Sequence, residues 1–163
     1  MESPVSYHEA GHAVIACWLG GEVLSVTIDP DRDDGPRRDG DVSIRWHARG
    51  LSRRELSERE LMAVLAGPVA EMVHAEVRLR IDSRPEWAVD WQIASEIAAT
   101  FVSVPKQREA LLHELTRRMF HLISSDECWQ AIAEVADQLD AHETLDGEEV
   151  QECVERWMGR RES

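Results

Sequence analysis

The chain has 163 residues, enough for one domain with a real core, and 43% of them are hydrophobic, which excludes a disordered segment. Its formal net charge of −14 is spread along the chain as a solvated surface and argues against nucleic acid or an anionic membrane as partner. Three widely spaced cysteines (Cys17, Cys128, Cys153) are odd in number and read as reduced thiols of a cytoplasmic protein.

Ser3-Pro4 opens a first helix with a capping hydroxyl and a proline in the first turn, and Gly20-Gly21 stops it. Between them the residues are apolar almost all round, which marks a helix buried in its protein. The apolar run over 13–19 is too short to span a bilayer and follows no basic segment, so neither direct membrane insertion nor a signal peptide is expected. The same helix carries His8-Glu9-x-x-His12. Residues four apart lie about 40° apart around a helix, so His8 and His12 can turn their imidazoles toward one metal ion. Glu9, on the neighbouring edge, can serve as a general base without being a ligand. Two neutral imidazoles, a third ligand from elsewhere and an open fourth position make a catalytic zinc site. Cys17 lies half a turn round from His8 and should not share its metal.

Residues 23–28 and 41–47 alternate and are rich in β-branched residues, predicting two strands around a loop at 29–40. The pair reads as an ordinary hairpin or as a sheet edge able to hold an extended peptide. His47, at its end, reads as a surface residue. Ser52 and Glu55 form a capping box for a second helix to about 79, with a kink expected at Gly67-Pro68. Ser83-Arg84-Pro85-Glu86 reads as another capping box, opening a third helix to about 104. Its apolar face contains Trp87, Trp91, Ala94, Ile97, Ala98 and Phe101, and Asp90 falls within that face. A carboxylate there needs an arginine, several backbone donors or a metal. Three further helices follow, over 106–123, from a Ser124-x-x-Glu127 cap, and from Thr144 or Asp146. They read as a helical bundle without chemistry of its own, with His113, His121 and His142 at the surface. No internal repeat and no phosphate-binding glycine loop interrupts the chain.

Several segments resemble, in order, the peptidase domain of the FtsH family of ATP-dependent zinc metalloproteases. Tyr7-His8-Glu9-Ala10-Gly11-His12-Ala13 is similar to the family's catalytic helix, and Val26-Thr27-Ile28-x-Pro30 to its following strand. Leu65-Ala66-Gly67-Pro68-Val69-Ala70-Glu71 is similar to its Gly-Arg-Ala-Ala-Glu-Glu helix, with Pro68 and Met72 in place of the arginine and second glutamate. Asp90-Trp91-x-x-Ala94-Ser95 matches the segment that supplies the third zinc ligand, preceded here by Pro85-Glu86-Trp87 instead of a glycine-containing turn. Residues 143–150 resemble the start of its C-terminal helix.

The resemblance implies zinc held by His8, His12 and Asp90, with Glu9 as catalytic base. A structural salt bridge at Asp90 is the alternative to ligation, and Glu71 is the rival third ligand or else a partner behind the ligands. The expected fold is predominantly α (α+β): the motif helix packed with a small β-sheet or hairpin, then a C-terminal bundle. The chain is expected to be one domain, with a catalytic part over 1–104 and the bundle over 105–163. The expected activity is zinc-dependent endopeptidase hydrolysis of peptides or unfolded proteins. The alternative is a catalytically silent interaction or regulatory module. The family couples this domain to a membrane anchor and an AAA+ ATPase, neither of which lies in these residues. A separate ATPase partner, a longer parent chain and a homo-oligomer are therefore expectations as well.

Overall fold

Helix α1 (Pro4–Trp18) is the centre of the structure, a computed structural model that describes residues 3–29 and 40–160. The Ser3 hydroxyl accepts the Ser6 N–H at its start, as the Ser-Pro pair predicts. Ala10, Ala13, Val14, Ile15 and Ala16 are all fully buried, so the helix that is apolar all round is wrapped on all sides. Around it pack α2 (Arg53–Ala75), α5 (Asp126–His142), α6 (Gly147–Met158) and a small sheet.

The α1–α2 crossing is the tightest of these contacts. A Cβ on Gly11 would fall 2.6 Å from the Ala66 carbonyl oxygen and 2.7 Å from Ala70 Cβ. Only glycine allows so close an approach, and α2 answers with a face of Ala63, Ala66, Gly67 and Ala70. Helix α2 is capped by the Ser52 side chain and continues as one element through Pro68. It ends at Ala75, short of 79, because Glu76 adopts a left-handed conformation (φ 57°) and the Val77 N–H folds back onto the Met72 carbonyl.

The third helix begins differently from its sequence signal. The Ser83 hydroxyl donates backward to the Arg80 carbonyl, so the expected capping box does not form. Two short 3-10 turns, Ile81–Ser83 and Pro85–Trp87, precede α3 (Ala88–Ala99). Pro85 holds Arg84 in extended backbone, which breaks the helix there and lets both Ile81 and Trp87 enter the core. Helix α3 stops at Ala99, well before 104.

Helix α4 (Pro105–Ile123) packs on α2 and α3, while α5 and α6 close on α1, so the C-terminal helices bundle around the N-terminal ones. At the start of α5 the cap position belongs to Ser125, whose hydroxyl donates to the Leu122 carbonyl, and the Ser124 box is not used. Asp146 does form a full capping box with Glu149 for α6.

Strand β1 (Glu22–Thr27) is the middle of a three-stranded antiparallel sheet, flanked by β2 (Asp41–Arg45) and by β3 (Thr144–Asp146). Val26 pairs with Val42 on one side and Leu145 on the other. The chain is therefore predominantly α with a small sheet, as its patterning predicts, but β3 lies outside that prediction. The loop expected over 29–40 falls, for residues 30–39, outside the described residues. Among the described residues no helix is long and apolar enough to cross a membrane. The three cysteines are free thiols, Cys128 and Cys153 buried and Cys17 half-buried. His47, His121 and His142 are exposed and His113 is half-buried against Trp91.

Candidate metal centre

The His8 and His12 rings stand 4.7 Å apart between centroids, with their planes crossing at 81°. Each ring is fixed from behind. His12 Nδ1 lies 2.8 Å from the Ala63 carbonyl oxygen, a pure acceptor, so Nδ1 carries the hydrogen and Nε2 faces forward. His8 Nδ1 lies 2.7 Å from Glu71 Oε1, with the same consequence. Both Nε2 atoms converge on Asp90 Oδ2, at 2.7 Å from His8 and 3.4 Å from His12.

His8, His12 and Asp90 thus offer three ligand atoms within 4.8 Å of one another. Their side chains are 13%, 13% and 16% exposed, so the group is largely buried yet still reached by solvent. Two neutral nitrogens, a carboxylate oxygen, oriented rings and solvent access are what a catalytic zinc ion needs, so the donor set fits it. Other first-row divalent ions accept the same donors.

The electrostatics are those of a proton standing in for a cation. Burial opposes charge on His8, but its hydrogen bonds to Asp90 and Glu71 outweigh this and push its pKa up to about 10. Burial likewise opposes charge on His12, and Asp90 overcomes it in the same direction. Burial alone would raise the Asp90 pKa, yet the two imidazoles hold it well below the usual carboxylate range. For Glu9 burial wins: its carboxyl is pushed up, against the pull of His12 and His8. A group with a raised pKa keeps its proton to higher pH, and a metal can use His8 only as neutral imidazole. Metal uptake near pH 7 should therefore release at least one proton, and apparent affinity should fall about tenfold per unit as pH drops. Calorimetry in buffers of different ionisation enthalpy reads this directly; uptake without proton release would contradict it.

Glu71 stands behind His8 rather than in the three-atom group. Its second oxygen accepts the Trp87 indole N–H at 3.1 Å. Glu9 is 7% exposed and adjoins Gly40, where a Cβ would fall 2.7 Å from Glu9 Cγ. Tyr7, the other neighbour of the motif, is buried in a stack between His74 at 3.9 Å and Trp129 at 5.2 Å. The Ala63 carbonyl, the Trp87 N–H and Gly67, which packs on the His12 ring, carry no sequence signal for these roles. A groove of about 1050 Å³ lies at the far end of α1 around Cys17, Trp18 and Leu24, away from this chemistry.

No protein-family model matches this chain, and no curated protein matches it.

Proposed function

We propose that this chain is a zinc-dependent metalloendopeptidase, resembling the FtsH peptidase domain, that hydrolyses peptide bonds in peptides or unfolded proteins. One observation carries the reading: His8 Nε2, His12 Nε2 and Asp90 Oδ2 meet at one point, with buried Glu9 on the same helix. In this reading His8, His12 and Asp90 hold the ion, and Glu71 orients His8 from behind. Zinc, when bound, supplies Lewis acidity, bringing water's pKa toward ~7 and polarising the scissile carbonyl. Glu9 takes the proton of the attacking water and returns it to the departing amine, work suited to a carboxyl whose pKa burial raises.

A hydrolytic role is favoured over the oxygen chemistry open to the same donors by that base beside the ligands. β2 is an end strand of the sheet and Gly40, just before it, packs on Glu9, so an extended substrate is placed along that side of the sheet. A substrate held as an added strand must be unfolded. We extend the proposal to a cytoplasmic setting, with assembly into a homo-oligomer and supply of clients by a separate ATPase.

The test is metal analysis of the purified chain beside cleavage of a reduced, unfolded protein. About one zinc per chain is expected, with cleavage lost on chelation and restored by zinc. A protein that takes up no zinc, or that cleaves equally well after chelation, would end the proposal.

A further inference from the structure

The turn before Asp90 contains a tryptophan whose polar atom reaches the neighbourhood of the metal ligands. Trp87 is 2% exposed, and its indole N–H is a single donor directed at Glu71 Oε2, 3.1 Å away. Glu71 spends its other oxygen on His8 Nδ1, at 2.7 Å. A carboxylate held through one oxygen can rotate about its last torsion; held through both, it has a fixed plane. A buried indole N–H that lost its partner would carry its desolvation cost uncompensated, which keeps the contact in place.

Trp87 is also the residue from which α3 departs, and Asp90 lies in the first turn of that helix. The buried indole therefore anchors the start of the element that brings the third donor. Arg84 covers the ring, its guanidinium carbon 5.2 Å from the centroid. Two of the three donors, on helices far apart in sequence, thus depend on one side chain.

We infer that Trp87 is a positioning residue of the metal centre, which orients His8 through Glu71 and fixes the departure of the Asp90 helix. The inference rests on the metallopeptidase reading above. It also gives Glu71 a role behind His8, since both of its oxygens already hold a partner on another element.

The experiment uses the full chain as wild type, Trp87→Phe, Glu71→Gln and the double variant, and with the Trp87 indole replaced by benzothiophene, alone and together with Glu71→Gln. Zinc affinity is measured by chelator competition, the cobalt(II) absorption spectrum is recorded, and unfolding is followed on the metal-free proteins. Trp87→Phe should weaken zinc binding about 10–100-fold and alter the cobalt bands. Replacement of the indole by benzothiophene removes only the N–H, so combined with Glu71→Gln it should bind no more weakly than Glu71→Gln alone; Trp87→Phe, which also shrinks the ring at the head of α3, should add a further loss. Should Trp87→Phe not fold, the benzothiophene replacement keeps the ring's shape, with the same weakening of zinc binding expected. Wild-type affinity and an unchanged cobalt spectrum in Trp87→Phe overturn the inference, leaving a purely structural tryptophan, as does a benzothiophene replacement whose loss multiplies with that of Glu71→Gln. Failure of the wild type to bind either metal instead sinks the metallopeptidase reading, and this inference with it.

Discussion

Glu9→Gln should retain zinc to within about twofold and lower kcat/KM on an unfolded substrate by about 10²–10⁴, the usual worth of a positioned general base. The amide has nearly the shape of the carboxyl, so the close contact with Gly40 survives. Nor is Glu9 among the three groups that converge at the metal point, so the ligands are untouched. What disappears is the capacity to accept a proton. The measurement is zinc content and steady-state cleavage on the same preparation. A variant that keeps both zinc and wild-type turnover would remove Glu9 from the mechanism; one that loses zinc would make it part of the metal's support.

Gly67→Ala should damage the fold and the candidate site together. A Cβ at this position would lie 2.4 Å from His12 Nε2 and 2.5 Å from Cε1. The ring has no easy retreat, because Nδ1 is tied to the Ala63 carbonyl at 2.8 Å. Elsewhere on an exposed helix, glycine to alanine gains up to ~1 kcal/mol of helix propensity. Here overpacking opposes that gain at about 1–3 kcal/mol, and the ring must also swing away from Asp90. The expected result is net destabilisation together with zinc binding weakened about 100-fold, the upper end for losing a ligand's orientation. Denaturant unfolding of the chelated protein and zinc titration check the two parts separately. Unchanged values in both would show that α2 can move aside at no cost.

The parts of the site that were legible in the sequence are those set by a local period. The four-residue spacing of His8 and His12 gives one helix face wherever the helix goes, and Asp90 stood out as a carboxylate in an apolar stripe. The distinction between Asp90 and Glu71 was not local. It appears only when Trp87 and His8 claim both oxygens of Glu71 from two other elements. Ser83-x-x-Glu86 misled because the same hydroxyl can cap forward or bond backward, and burial of Ile81 and Trp87 decided for the second. Strand β3 has three residues, too few for alternation to register, and exists because β1 supplies its partners. Gly67 looked like a weak point in a helix; its meaning lies in a ring on another helix.

The braces of the motif helix and of β1 come from remote stretches of chain. Ser6 donates to Asp140, 134 residues away, and Thr27 meets Thr144 across 117 residues. Contacts of such separation form late, since a long loop must close before they contribute. During synthesis the His8–His12 motif is thus made well before the segments that hold it in register. A nascent chain carries the histidines long before it carries a finished cleft. Those braces lie beyond α4, so the cleft depends on a stretch of chain that contains none of its three converging donors.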